Sequence, residues 1–236
     1  MAAPHKTSAA SSGEPTHSFS DAEISAVYKA IALRRDMRHF RAGHVPEDQL
    51  MRLLAAAHHA PSVGFMQPWR FIRVTSRALR EQMHALVETE RLATARALGE
   101  REDDFMRLKV EGLLDAGEVV VVALADEREK HIFGRRTLPE MDLASVACAI
   151  QNMWLAARAE GIGLGWVSFF DPDALAELLN LPDGARPQGI LCIGRVRAFY
   201  PRPMFEDAGW GRRLDAADLL FENAWPAGAQ GTPTAY

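Results

Sequence analysis

The alternation of apolar and polar positions predicts helices and strands in turn from about residue 20 onward. A capping box at residues 20–23 precedes apolar residues at helical spacing, namely Ile24, Val27, Tyr28 and Ile31. That spacing predicts a helix with one buried face. The helix leads into residues 34–40, the arginine segment, where Arg34, Arg35 and Arg38 lie close to Asp36 in sequence.

A second amphipathic helix and a loop are predicted next. Pro46 suits the first position of a helix whose apolar face consists of Leu50, Leu53, Leu54 and Ala57. Residues 61–68, the proline loop, contain two prolines, a serine and a glycine, which exclude regular structure. Aromatic and β-branched residues at 69–74 then alternate with arginines, which predicts a strand.

The middle of the chain combines a charged helical segment with strongly apolar elements. Residues from about 76 to 115 are helical and of mixed charge, with a break at Gly99, and we predict that they form a solvent-facing lid insertion. The valine-rich segment 118–125 predicts a strand that is buried on both faces. Residues 142–160 form the most hydrophobic predicted helix, which is expected at the centre of the fold or in a dimer interface.

The remaining elements complete one α+β domain. A strand and turn at 162–170, a helix starting at Asp171-Pro172 and a buried strand at 188–194 precede an irregular segment beyond Tyr200. No repeat or linker divides the chain. We therefore predict a loose tail at residues 1–18 and a single domain at 19–236.

Composition restricts the class of protein. The chain has 236 residues, of which 48% are hydrophobic and 25% charged, as in ordinary globular proteins. A net charge of −4 provides no basic field for nucleic acid, so an anion site must be local. No apolar run reaches the roughly 20 residues that a bilayer requires. Cys148 and Cys192 are expected to be buried thiols, and we expect a cytoplasmic protein with no membrane or nucleic-acid partner.

Sequence motifs for three other kinds of chemistry are absent or have the wrong spacing. Gly161, Gly163 and Gly165 lack the G-x-G-x-x-G spacing and enter a strand, the reverse of the order in dinucleotide-binding folds. His58 and His59 are adjacent, so both rings cannot lie on one helical face, and no metal site is expected. No G-x-S-x-G motif supports a hydrolase.

The arginine segment is the candidate anion site. Arg34 and Arg38 would share a face of a continuing helix or converge in a turn, and their guanidinium groups match phosphate geometry. Arg212 and Arg213 would either add to this site or form an unrelated surface pair. From the local sequence alone, a solvated charge run is as open as an anion site, and the local sequence favours a simple salt bridge between Asp36 and its neighbours.

Four short stretches together carry a resemblance to a known family. They are RRDMR at 34–38, APSVGFMQPW at 60–69, LKVEG at 108–112 and GWVSFF at 165–170. In this combination the chain resembles the nitroreductase-like flavoproteins, and more narrowly their 5,6-dimethylbenzimidazole synthase (BluB) branch. The resemblance extends over residues 19–225, and segment 75–105 departs most from the family pattern.

The resemblance implies a central mixed β-sheet surrounded by helices, in an intertwined homodimer with FMN at the subunit interface. In the BluB branch, reduced FMN is a substrate rather than a recycled cofactor. It reacts with O2 and is fragmented to 5,6-dimethylbenzimidazole, the lower ligand of vitamin B12, and erythrose 4-phosphate. NAD(P)H then acts only indirectly, through a separate flavin reductase. The alternatives are an NAD(P)H-dependent FMN nitroreductase and a non-catalytic flavin-binding protein.

The resemblance also assigns expected roles to individual residues. It implies that Asp36 and Ser168 are catalytic, and that Arg34 and Arg38 hold the phosphate. We expect Asp36 to begin as an ionised base, because the neighbouring arginines favour its charged form. The complete set of residues expected to bind FMN is Arg34, Arg35, Asp36, Met37, Arg38, Pro61, Ser62, Val63, Gly64, Gln67, Arg101, Gly165, Trp166, Val167, Ser168 and Arg213.

Overall fold

The computed structural model of the chain describes residues 17–226, and most of the predicted tail lies outside this range. Its helices are α1 (Asp21–Leu33), α2 (Glu47–His58), α3 (Arg77–Ala97), α4 (Glu102–Met106), α5 (Met141–Ala159), α6 (Pro172–Leu178) and α7 (Met204–Asp207). Its strands are β1 (Trp69–Arg73), β2 (Glu118–Leu124), β3 (Gly163–Val167) and β4 (Arg186–Gly194). Single 3-10 turns occur at Val63–Phe65, Gly99–Arg101, Arg128–Lys130 and Ala216–Leu219.

The four strands form one open sheet in the order β1-β2-β4-β3. Every strand pair is antiparallel, whereas a mixed sheet was expected. The parallel pairing in the described residues is an isolated bridge between Asp36 and Leu164. The arginine segment therefore lies along the β3 edge of the sheet.

Helices cover both faces of the sheet, and the alternation of side chains along the strands builds two cores. Val120 and Val122 of β2 point to the core beneath α2 and α5. Val119 and Val121 point to the opposite core, which includes residues of α3 and α6. This period of two explains why β2 reads as an unbroken apolar run, because both of its faces are buried.

Two burial predictions are wrong. The predicted capping box begins α1, and Ser20 exchanges hydrogen bonds with Glu23 as expected. However, α1 contributes no buried residue, and Tyr28 is 69% exposed in the single chain. Cys148 is exposed because it lies on the outer side of α5, while Cys192 is buried in β4. Burial raises the pKa of the Cys192 thiol to about 12.

The predicted lid insertion, residues 76–115, is less exposed to solvent than its many charged residues suggest. Gly99 breaks the helical segment as predicted and has a left-handed φ of 57°. The inner side of α3 buries Met83, Val87 and Ala95, so this helix packs on the domain. Whether the segment moves as a lid stays a prediction. In the described part of the chain, no helix combines the length and apolar character needed to cross a membrane.

Candidate active site

The arginine segment is extended, and this places its charged side chains. α1 ends at Leu33, and Arg34 already has extended backbone angles. The Met37 amide donates a hydrogen bond to the Leu164 carbonyl at 3.0 Å. In extended backbone, residues two apart share one side. This period of two, rather than helical spacing, brings Asp36 and Arg38 together.

Asp36 is held by two donors from different elements. The Arg38 Nη2 atom lies 2.5 Å from Asp36 Oδ2, and the Trp166 amide donates to Asp36 Oδ1 at 2.9 Å. Arg38 Nη2 also donates to the Trp166 carbonyl at 3.0 Å. These bonds fix the carboxylate beside β3. The ion pair with Arg38 is the salt bridge that the sequence left open, and the bond from the Trp166 amide is an additional contact.

Burial dominates the electrostatics of Asp36. Desolvation raises the pKa of its carboxyl above the ordinary value, although Arg38, the Trp166 amide and Arg34 all act in the opposite direction. The arginines thus favour the ionised form, as expected, but burial, which the sequence did not reveal, outweighs them. The side chain still exposes 38% of its surface, so one side of the carboxylate remains open to a ligand.

Arg38 faces the core. Its side chain is 7% exposed, and its Nε and Nη1 atoms are buried without a hydrogen-bond partner in the described residues. A Cβ on Gly165 would lie 2.7 Å from Arg38 Nη1 and 2.1 Å from the Met37 carbonyl oxygen. Only glycine fits there. The phosphate contact expected of Arg38 stays a prediction, which this orientation does not favour.

Arg34 and Arg213 form the more accessible cationic pair. The Arg34 guanidinium carbon lies 4.5 Å from the centre of the Trp154 ring, a cation–π contact. Burial is the largest cause lowering the pKa of Arg34; Asp36 acts in the opposite direction, and the charges of Arg35 and, less strongly, Arg213 lower it further. Like charges around Arg34 repel it, so an anion bound beside it would be stabilised. The sequence suggested Arg213 as an addition to the site, and in the folded chain its charge acts on Arg34.

Hydrogen bonds that involve side chains tie the C-terminal arm, residues 195–226, to the arginine segment. Arg35 Nη2 donates to the Pro201 carbonyl at 2.9 Å. The Tyr200 hydroxyl accepts from the Arg38 amide at 3.2 Å and lies 2.7 Å from His39 Nδ1. Sequence reasoning gave no role to Tyr200 or Trp154, because neither belongs to a recognisable motif.

The proline loop is held in an unusual conformation. Gly64, Phe65 and Gln67 all have left-handed φ angles, between 52° and 56°. The Gln67 amide donates to Ser62 Oγ at 3.0 Å, and the Val63 amide donates to Ser145 Oγ of α5 at 3.0 Å. Left-handed non-glycine residues cost free energy and persist only when surrounding contacts hold them.

The structure does not join the proline loop to the arginine segment within one chain. The loop contacts α5 at Ser145, whereas the Trp154 indole of α5 donates to the Arg35 carbonyl at 3.1 Å. These two positions are separated by roughly 13 Å along the helix axis, given a rise of about 1.5 Å per residue. Pro61, the first residue of the loop, is exposed.

The last expected residues lie at the end of β3 and in the insertion. Gly165 and Val167 are buried and Trp166 is half-buried, while Ser168 is exposed directly after the strand. Met37 is buried in the core. The Arg101 guanidinium carbon lies 3.6 Å from the centre of the Trp210 ring. Arg101 therefore contacts the C-terminal arm.

Comparison with known proteins identifies the family to which this arrangement belongs. Residues 31–195 match the sequence profile described as the nitroreductase family. The chain belongs to the nitroreductase family. The expected nitroreductase-like α+β fold is thereby confirmed.

Relatives within the nitroreductase family narrow the assignment. The chain is 43% identical over 185 residues to a 5,6-dimethylbenzimidazole synthase of Rhodospirillum rubrum, covering 76% of this chain and 86% of that protein. It is 38% identical over 198 residues to a 5,6-dimethylbenzimidazole synthase of Rhodobacter capsulatus, covering 83% of this chain and 96% of that protein.

Solved structures support the fold at lower identity. The nitroreductase A of Vibrio parahaemolyticus is 20% identical with a TM-score of 0.63, covering 86% of this chain and 77% of that chain. The NADPH:FMN oxidoreductase of Vibrio harveyi is 19% identical with a TM-score of 0.64, covering 86% and 79%.

Proposed function

We propose that this chain is a 5,6-dimethylbenzimidazole synthase, which uses O2 to fragment reduced FMN to 5,6-dimethylbenzimidazole and erythrose 4-phosphate. The observation that carries this proposal is the 38–43% identity to two proteins of that name over most of the chain. Relatives named nitroreductase fit less well, since one from Archaeoglobus fulgidus is 26% identical over 178 residues. A separate flavin reductase supplies the reduced FMN, and both proteins act in the cytoplasm.

The described residues fit FMN at two points. Arg34 and Arg213 are the proposed phosphate ligands, because guanidinium groups match phosphate geometry and an anion would balance the positive charges around Arg34. Gly165 has no side chain, so Met37 and Arg38 can pack directly against β3, and this packing holds Asp36 beside the strand where we place the flavin ring. Reduced FMN brings its own electrons and carbon atoms to the reaction, and the protein residues hold it and move protons.

A homodimer completes the proposed site. The proline loop lies roughly 13 Å along α5 from the arginine segment, so a second copy of the chain in the opposite direction would bring its loop to this segment. Ile24, Val27, Tyr28 and Ile31 of α1 are exposed and apolar, as are Met141 and Leu143 of α5. Exposed apolar faces of this kind mark protein interfaces. We place Pro61, Ser62, Val63, Gly64 and Gln67 of one copy against the FMN of the other.

Asp36 and Ser168 are the proposed catalytic residues. Burial raises the pKa of Asp36 toward neutral pH, which suits a group that both accepts and releases protons. Arg38 bonds one oxygen of the carboxylate and the Trp166 amide bonds the other, and we place the ligand against the part of the side chain that remains exposed. The Ser168 hydroxyl, exposed at the end of β3, donates or accepts a hydrogen bond there.

Product analysis tests the proposal directly. The purified protein is incubated with FMN, a flavin reductase, NADH and O2, and 5,6-dimethylbenzimidazole is measured by mass spectrometry. We expect product only when all components are present. Absence of product would overturn the proposal, and rapid NADH oxidation without the added reductase would favour a nitroreductase. Binding of FMN with neither activity would favour a flavin-binding protein.

Asp36→Asn tests the catalytic assignment. The amide keeps the size of the side chain and can still accept from the Trp166 amide, but it cannot act as a base. We expect product formation to fall by about 10²–10⁴-fold, the usual contribution of acid–base catalysis. The dissociation constant for FMN, measured by flavin fluorescence, should change far less. Turnover close to that of the unaltered protein would show that Asp36 is not catalytic.

A further inference from the structure

A small aromatic cluster joins the insertion to the C-terminal arm. We call Phe105, Phe169, Phe205 and Trp210 the aromatic cluster. The ring centres of Phe105 and Trp210 are 6.3 Å apart, those of Phe205 and Trp210 are 6.4 Å apart, and those of Phe105 and Phe169 are 5.8 Å apart. Phe105 and Trp210 are almost completely buried, with 3% and 4% exposure. Phe105 and Trp210 belong to a third, smaller core, and Phe169 packs against both this core and the core that includes α3 and α6.

Each ring comes from a segment that carries an expected site residue. Phe105 belongs to α4 of the insertion, and Arg101 of the same insertion stacks on Trp210 at 3.6 Å. Phe169 directly follows Ser168. Trp210 lies on the C-terminal arm three positions before Arg213. The cluster therefore joins the insertion, the end of β3 and the arm at one point.

The arm between Trp210 and Arg213 is short and internally fixed. The Trp210 amide donates to the Phe205 carbonyl at 2.8 Å. The Arg213 amide donates to Glu206 Oε1 at 3.1 Å, which folds the arm back on α7. With these bonds in place, a displacement of the Trp210 ring would also move the backbone that carries Arg213.

We propose that Trp210 is a positioning residue that places Arg213 at the phosphate of the flavin and fixes the insertion against the arm. The inference rests on the proposed function, because it takes Arg213 as a phosphate ligand. Through Trp210, phosphate binding at Arg34 and Arg213 and packing of the insertion are coupled. A ligand without a phosphate gains nothing from this coupling.

Binding of FMN and of riboflavin, which lacks the phosphate, tests the inference without turnover. Trp210→Leu removes the aromatic face, and Trp210→Phe keeps one. We expect Trp210→Leu to weaken FMN binding on the order of tenfold, since aromatic and cation–π contacts of this kind contribute roughly the free energy of one decade in affinity. Riboflavin binding should change much less, and Trp210→Phe should restore most of the FMN affinity.

A double change shows whether Trp210 acts through Arg213. Residues that act as one unit give non-additive effects. If the inference holds, Trp210→Leu combined with Arg213→Gln should weaken FMN binding little more than Arg213→Gln alone. Additive losses, or equal losses for FMN and riboflavin, would overturn it. An unaltered protein that binds no FMN would contradict the proposed function first and this inference with it.

A matched pair within the insertion provides the same test if Trp210→Leu fails to fold. Arg101→Leu removes the cation over Trp210, whereas Arg107→Leu removes an exposed arginine whose ion partner is Asp104. We expect FMN to protect residues 98–108 from limited proteolysis in the unaltered protein and in Arg107→Leu. That protection should be weakened in Arg101→Leu. Equal protection in both variants would overturn the proposed coupling.

Discussion

Asp36 and Arg38 form a pair in which charge attraction and burial oppose each other. Arg38 has almost no solvent contact, so it needs the carboxylate to balance its charge. Asp36 is crowded by the same elements, and its pKa rises despite Arg38. The protonation of Asp36 therefore depends strongly on a single neighbour.

Removing the charge of Arg38 should shift the fall in kcat at low pH, the acid limb of the pH–activity profile. Product formation by a carboxylate base falls as pH drops through its pKa. Because the charge of Arg38 lowers the pKa of Asp36, Arg38→Met should raise that pKa further. The acid limb of kcat should then lie at higher pH, measured as 5,6-dimethylbenzimidazole formed across a pH series.

Arg77→Met is the matched control for this measurement. Arg77 is an exposed arginine of α3, 2.8 Å from Glu81. Its removal should leave the acid limb in place. An unchanged limb in Arg38→Met as well would mean that a group other than Asp36 limits the reaction at low pH.

The sequence predicted which residues belong to the arginine segment but not how they are arranged. The charge pattern of Arg34, Asp36 and Arg38 suits a helix end or a turn equally well. Pairing with Leu164, distant in sequence, makes the segment extended. The raised pKa of Asp36 was missed for the same reason, because burial depends on tertiary contacts whereas neighbouring charges can be read from the sequence.

At the scale of elements, the proline loop depends on one close backbone approach. A Cβ on Gly64 would lie 2.7 Å from the Phe133 carbonyl oxygen, and the residue has a φ of 53°. Gly99 has nearly the same φ, 57°, but nothing lies within 4 Å of its Cβ position. A comparison of the two positions therefore distinguishes the cost of a left-handed backbone, which both share, from the cost of a steric clash, which arises only at Gly64.

Gly64→Ala should therefore destabilise the protein more than Gly99→Ala. Each alanine costs about 1–2 kcal/mol of unfolding free energy for the left-handed backbone. Crowding against Phe133 should add about 1–3 kcal/mol at Gly64 alone. Chemical denaturation of both variants measures the difference, and FMN binding should weaken only in Gly64→Ala. Equal unfolding free energies would show that the segment containing Phe133, residues 127–140, moves aside to make room for the methyl group. The proline loop would then not be rigidly held.

Most elements could be predicted because their apolar spacing reflects local rules. α2 and α5 were placed to within about one residue by period and proline position, and β2 by its valines. The relative direction of the strands could not be predicted, because no local sequence pattern determines which strands pair or whether they pair parallel or antiparallel. The inner side of α3 was hidden by its many charges, since Met83, Val87 and Ala95 are spread through a largely polar helix.

At the scale of the whole molecule, α1 has an apolar face that the described part of the chain does not cover. Ile24, Val27, Tyr28 and Ile31 have the spacing of a buried face, yet all four are exposed. The helical prediction was right and the burial prediction wrong. A second copy covering this face would account for both outcomes.

Val27→Asp should therefore separate the proposed dimer without unfolding the chain. Val27 is 48% exposed and α1 buries nothing in its own subunit, so the new charge meets water in the monomer and apolar surface in the dimer. Sedimentation should show a monomer, circular dichroism should show retained helix, and FMN binding should be lost with the second copy's proline loop. Ser25→Asp adds the same charge to another side of α1 and should stay dimeric. A Val27→Asp protein that remains dimeric, or a monomer that binds FMN as tightly as the unaltered protein, would contradict the composite site.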